Sequence, residues 1–168
     1  MSDDHRQHLP YRPCVGVALF NGDGNVFVGR RAGLPKDDPH AWQMPQGGID
    51  EGEEPMAAAL RELHEETGVV NADFIAEAPD WLRYDLPPAY TKRWADRYRG
   101  QTQKWFALRF TGSEEEIDLA AHGKPEFDSW RWVRLTKTPD LVVPFKREIY
   151  DQVVRAFATI AGNVPGDA

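Results

Sequence analysis

The sequence predicts an α/β domain in which a sheet is the scaffold and two helices pack against it. Short apolar runs recur between turn residues, Pro55 and Gly68 bracket a helix, and apolar residues return at helical spacing near the C-terminus. Residues 15–20 (Val-Gly-Val-Ala-Leu-Phe) are continuously apolar, as a buried strand would be. The turn-forming run 21–25 (Asn-Gly-Asp-Gly-Asn) leads into a second strand near 26–28, so the two read as a hairpin. A strand over 42–46 then feeds Gly47 and Gly48, where backbone can come close to a ligand. The helix that follows begins at Pro55, a residue suited to a first helical position, and stops before Gly68, where a left-handed residue is expected. Met56, Leu60 and Leu63 fall on a side of it suited to a core. Further strands are expected near 74–76, 81–84, 105–110 and 130–133. Ile149, Val153, Phe157 and Ile160 then mark a second helix from Phe145 to about Ala161. Strand order and layering do not follow from periodicity alone. The reading is one domain over 11–161, with flexible ends at 1–10 and 162–168.

Composition bounds the function. A chain of 168 residues, 41% hydrophobic with six Trp and eight Phe, buries a substantial core and leaves little room for two domains. Cys14 stands alone, which excludes an intrachain disulfide and reads as a small buried hydrophobe. The N-terminus lacks the apolar stretch of a secretory signal and no apolar run could span a bilayer, so the expectation is a cytoplasmic protein with no membrane partner. A net charge of −7 disfavours extended coating of nucleic acid, whose affinity comes from neutralising many phosphates. It leaves room for a local pocket for one charged end.

The 55–67 helix carries the chemistry. Glu62, Glu65 and Glu66 are three and four residues apart and so share one face, spanning about 100° of the circumference. Like charges at such spacings each cost about 0.2–0.5 kcal/mol, which solvent or a hard divalent cation can relieve. Mg²⁺ suits carboxylate oxygens and usually keeps waters and substrate phosphates as its other ligands.

Residues 47–69 resemble the Nudix box at every defined position: Gly47, Glu53, Arg61, Glu62, Leu63, Glu65, Glu66, Gly68 and Val69. The resemblance implies an α/β/α sandwich with a central mixed sheet. It also implies a hydrolase of nucleoside diphosphates linked to another group, dependent on Mg²⁺ or Mn²⁺. On it, Glu62, Glu65 and Glu66 bind metal, Glu66 doubles as the base, and Glu53 and Arg61 support the loop–helix geometry. A narrower resemblance runs from Tyr11 to Phe157. It is carried by residues 11–13, 42–48, 101–106, 125–133 and 143–147, and is to the branch of bacterial RNA pyrophosphohydrolases and dinucleoside tetraphosphate hydrolases. It implies Glu126 and Gly47 as further metal ligands, Arg12 and Arg31 on phosphates, Lys146 near the phosphate chain, and Val143, Phe145 and Tyr84 in the substrate pocket. The implied substrates are 5′-triphosphate RNA ends, as in RNA decay, and dinucleoside polyphosphates such as diadenosine tetraphosphate.

Read without the resemblance, Glu126, Arg12 and Arg31 are more simply surface charges, and Phe145 is core or a stacking platform. His64 reads as a helix-face residue. Two long connections stand out. Within the resemblance, residues 32–41 depart from the enterobacterial RNA enzymes in being longer and are closer to the dinucleotide-cleaving relatives, which leaves substrate preference open. Residues 85–103 interleave Lys92, Arg93, Arg97 and Arg99 with Tyr90, Trp94 and Tyr98, and could hold a base or phosphate or be a polar surface loop. A non-catalytic reader of nucleotides or RNA ends is the alternative function. The intact acidic triad speaks against it, because three carboxylates would repel a phosphate chain unless a cation lay between.

Overall fold

The computed structural model describes residues 6–87 and 96–162. Tyr90, Lys92, Arg93 and Trp94, and the chain ends at 1–5 and 163–168, lie outside the described residues. Eight strands form one mixed sheet: β1 Tyr11–Phe20, β2 Val26–Arg31, β3 Trp42–Gln43, β4 Gln46–Gly48, β5 Ala72–Glu77, β6 Leu82–Asp85, β7 Gly100–Phe110 and β8 Phe127–Val133. The helices are α1 Pro55–Thr67, the single-turn α2 Thr138–Leu141 and α3 Arg147–Gly162.

The centre of the sheet is the parallel pair β1–β7, in register from Tyr11 opposite Gly100 to Phe20 opposite Arg109. β5 and β6 run antiparallel to β7 on its other edge. β4 pairs with the middle of β1, and β2 meets β1 only at Phe20 and Val26 before pairing with β8 along its length. The expected hairpin thus closes at its tip, where the Asn21 side-chain carbonyl accepts from the Asp23 and Asn25 amides, and its arms separate to make a second wing.

Alternation along β1 and β7 sorts the core into two halves, because successive side chains leave opposite faces of a strand. Val15, Val17 and Leu19 of β1 and Phe106 and Leu108 of β7 pack with Ala58, Ala59 and Leu63 of α1. Ala18 and Phe20, with Trp105 and Ala107, pack with Ile149, Tyr150, Val153 and Phe157 of α3. The two long helices therefore cover opposite faces, which is the expected α/β/α sandwich. It explains why residues 15–20 are apolar without interruption: a strand covered on both sides has no solvent face.

Three expectations are corrected. Leu60 is 40% exposed, since at about 100° per residue it sits about 60° from Leu63, outside the stripe that Ala58, Ala59 and Leu63 press on the sheet. The predicted 42–46 strand is interrupted at Met44–Pro45, because proline has no N–H for a ladder. The C-terminal helix begins at Arg147, and Phe145 belongs to the preceding 3-10 turn Pro144–Lys146. Among the described residues no helix is long and apolar enough to cross a membrane.

Candidate active site

The site is built where β4 runs through a loop into α1. Arg61 fastens that loop to the helix: its Nε and Nη2 donate to the two Glu53 carboxylate oxygens at 2.8 and 2.9 Å, and Nη2 also donates to the Gly48 carbonyl at 2.8 Å. Glu53 accepts the Asp50 amide at 2.9 Å as well. The charged hydrogen bonds from Arg61, followed by that amide, hold the Glu53 carboxyl down at about 2. Gly68 ends the helix at φ 78°, a left-handed conformation glycine adopts without strain.

The three carboxylates expected on one face differ in burial. Glu65 is exposed and leans on Arg61 Nη1 at 3.2 Å; Glu62 lies deeper and takes the same nitrogen at 2.9 Å. Glu66 is 8% exposed, because its place on the helix borders the stripe that holds Leu63 against the sheet. A Cβ at Gly47 would collide with the Glu62 carboxylate, so glycine there lets the carboxylate rest against the loop backbone. Burial raises the Glu62 carboxyl, with Arg61 pulling the other way. Burial raises Glu66 well above its ordinary value, reinforced by Glu62 and Glu126 and opposed by the Gln46 amide, which donates to it at 3.2 Å, and by Lys146.

Other residues singled out from the sequence converge on the same place. Glu126 is close enough to repel Glu66. Arg12 lies against Gly48, where a Cβ would meet its guanidinium, and acts on Glu62. Lys146, buried in the 3-10 turn, lies over the Tyr84 ring at 5.9 Å, and Tyr84 and Phe145 are 5.6 Å apart. Val143, partly buried, packs against the core on the α3 side of the sheet, and Arg31 lies near Tyr150. His64 pairs with His122 at 3.3 Å, away from the carboxylates, as a helix-face residue. Cys14 is fully buried, and burial pushes its thiol up to about 11.

One expected feature changes. Within the 85–103 stretch, Gln101, Thr102 and Gln103 are strand, and Arg99 is committed to Asp85 at 2.8 Å and to the Tyr11 ring. The 32–41 loop is held by buried Arg30, which donates to the Leu34 and Pro35 carbonyls and to Asp128. The sequence reading passed over Gln46, Gln103, Trp105 and Tyr150 as site residues. The available signal was alternation: Gln101, Gln103 and Trp105 share one face of β7, so two glutamines point the way a core residue does.

Among the described residues no three acidic, histidine or cysteine side chains already converge at metal-ligating spacing. Glu62 and Glu65 are drawn onto Arg61, while Glu66 is buried beside Glu62 and Glu126, with Lys146 acting against them. An all-oxygen donor set with uncompensated negative charge fits a hard divalent cation.

Fold and site together define an α/β domain that presents an acidic helix face behind a Gly-rich strand–loop junction. The chain belongs to the Nudix family: the NUDIX domain model matches residues 10–153. Similar relatives include the RNA pyrophosphohydrolase of Bradyrhizobium sp. (strain ORS 278), 55% identical over 94% of this chain and 98% of the relative. That of Rhodopseudomonas palustris (strain HaA2) is 56% identical over 92% and 96%. Among solved structures, the MutT protein of Methanosarcina mazei Go1 shares the fold at a TM-score of 0.63, with 18% identity over 88% of this chain and 96% of that one. An Ap4A hydrolase of C. elegans does so at 0.59, with 17% identity over 89% and 98%.

Proposed function

We propose that this Nudix hydrolase is a Mg²⁺- or Mn²⁺-dependent cytoplasmic pyrophosphohydrolase that converts 5′-triphosphate RNA ends to 5′-monophosphate. The observation that carries the reading is Glu66: a carboxylate kept buried beside two others, with its proton affinity raised, is costly to the fold and useful to a hydrolase. The RNA-specific part is supported by relatives of that name that exceed half identity over nearly the whole chain. Glu62, Glu65, Glu66 and Glu126, with the Gly47 backbone, would hold the ion. Such an ion, when bound, lowers the pKa of water and stabilises charge on transferring and leaving oxygens. Glu66 takes the proton of the attacking water, whose oxygen adds to phosphorus in line as the anhydride P–O bond breaks, releasing pyrophosphate in one step or phosphate in each of two. Arg12, Arg31 and Lys146 offset phosphate charge, and the Tyr84–Phe145 pair with Val143 flanks the base.

A second substrate, a dinucleoside tetraphosphate split asymmetrically, presents the same purine nucleoside on a polyphosphate chain. The extended 32–41 loop beside Arg31, fixed in place by Arg30, favours keeping it in view. Side-by-side kcat/KM values for 5′-triphosphate RNA, diadenosine tetraphosphate and free nucleoside triphosphates test the assignment. A dominant kcat/KM for free triphosphates would overturn it, and tight RNA-end binding without turnover in Mg²⁺ would mark a reader instead.

A further inference from the structure

Glu66 is held by a segment that is itself held from three other elements. Its hydrogen bond comes from the backbone of Gln46, and at 3.2 Å it is at the long end of the usual range, so a small displacement of that amide breaks it. Gln46 closes the Met44–Pro45 interruption between β3 and β4, where regular ladder bonds are missing. Three contacts replace them. The Val17 amide donates to the Pro45 carbonyl at 2.9 Å, the Met44 amide donates to the Tyr150 hydroxyl of α3 at 2.9 Å, and the Gln103 side chain of β7 donates to Gln46 Oε1 at 3.2 Å.

Both side-chain holders are locked in turn. Tyr150 is 1% exposed, its ring packed edge-on to Trp105 with centroids 5.6 Å apart. The Trp105 indole is a donor only, and it donates to Gln103 Oε1 at 2.9 Å. That fixes which way the Gln103 amide faces: its Nε2 must turn to Gln46 and to Gln101, the latter at 2.8 Å. One buried tryptophan thus braces the hydroxyl on one side of the segment and sets the amide on the other.

We propose that Tyr150, with Gln103 opposite it, is a positioning residue for Glu66, acting through the Met44–Gln46 segment. This rests on the reading of Glu66 as the base. Tyr150 touches no substrate in this scheme. Its hydroxyl keeps Met44, and so the Gln46 amide two residues on, where Glu66 can use it.

The test is a double-mutant cycle of Tyr150→Phe and Glu66→Gln, with kcat and KM measured in saturating Mg²⁺ on 5′-triphosphate RNA. Phenylalanine keeps the ring and removes only the hydroxyl. The expected result is a kcat lower by about tenfold to a hundredfold, the scale of a misplaced catalytic group, with KM nearly unchanged. In the Glu66→Gln background the same change should cost less than about twofold, since residues acting as a unit are not additive. A severely impaired Glu66→Gln enzyme beside a Tyr150→Phe enzyme with normal kcat overturns the proposal alone, as does an equal loss in both backgrounds, which is what a purely structural tyrosine would give. Near-wild-type turnover of Glu66→Gln overturns the reading of the site and the proposal with it. Should Tyr150→Phe fail to fold, Gln103→Met, which keeps length and removes the donor, runs the same cycle with the same outcomes.

Discussion

Replacing Glu66 with glutamine should move stability and activity in opposite directions. Glutamine keeps the oxygen that accepts the Gln46 amide and the shape packed beside Leu63, but removes a buried negative charge repelled by Glu62 and Glu126. Burial is the largest cost of that charge, and like-charge pairs on a helix add about 0.2–0.5 kcal/mol each even when exposed, so removing the charge should stabilise the metal-free protein by at least about 1 kcal/mol. For a chain of this size that is about 2–4 °C in Tm. The sign with pH follows from the direction of the shift. Because the folded carboxyl sits well above its ordinary 4.5, the charged form is penalised only in the folded state. The gain from glutamine should be absent below about pH 4.5, grow as pH rises from there toward the folded value, and stay level above it. Activity should fall by at least about 10²-fold in kcat, the scale of losing acid–base or metal-assisted chemistry. Thermal melts in chelator across pH, set beside turnover in saturating Mg²⁺, read both effects. A variant that melts lower than wild type in chelator at pH 7 would refute the uncompensated-charge argument, and normal turnover would remove Glu66 from the mechanism.

Chelation should abolish hydrolysis and Mg²⁺ or Mn²⁺ restore it, whereas full activity in excess chelator, or rescue by zinc alone, would contradict an all-oxygen site. Gly47→Ala should lower kcat by about tenfold or more, because its Cβ displaces the Glu62 carboxylate; an unchanged kcat would show that Glu62 moves aside at no cost. Phe145→Ala should reduce kcat/KM on RNA and on diadenosine tetraphosphate alike by about tenfold to a hundredfold, the worth of one stacked base. RNA longer than a short 5′ end should add little, and efficiency rising steadily with length would point to a wider basic surface. Cys14, buried with its thiol at about 11, should resist a thiol reagent at pH 8 until the protein unfolds, and rapid labelling of the native protein would disprove that burial.

Much of the acidic helix was legible because its signals are local. Pro55, Gly68 and the spacing of Glu62, Glu65 and Glu66 all lie within one element, and boundaries and face follow from helix geometry. Rotation about that helix was harder. Leu60 is chemically a core residue, yet the alanines at 58 and 59 let the sheet come close on their side and leave Leu60 out. Sheet order was out of reach because the central pair joins residues 11–20 to 100–109, a pairing that no short-range pattern encodes. The same distance hid the Tyr150 and Gln103 contacts to the 44–46 segment, since each partner looks ordinary within its own element. Arg12, Glu126 and Lys146 were singled out through resemblance; nothing in their own neighbourhoods separates them from surface charges.

The parallel pairing of β1 with β7 also governs how the molecule comes into being. A ribosome makes β1 and the whole acidic helix early, but the strand that flanks β1 and carries Trp105 emerges only after residue 100, and Tyr150 later still. Until then β1 has an open edge, and Val15, Val17 and Leu19 lack the Phe106 and Leu108 that complete their layer. Closing so large a loop is slow, as contacts distant in sequence are in general. The nascent chain therefore carries a hydrophobic strand with one edge open through much of its synthesis, which makes chaperone protection of the first hundred residues, and poor solubility of any fragment ending before β7, natural consequences of the topology.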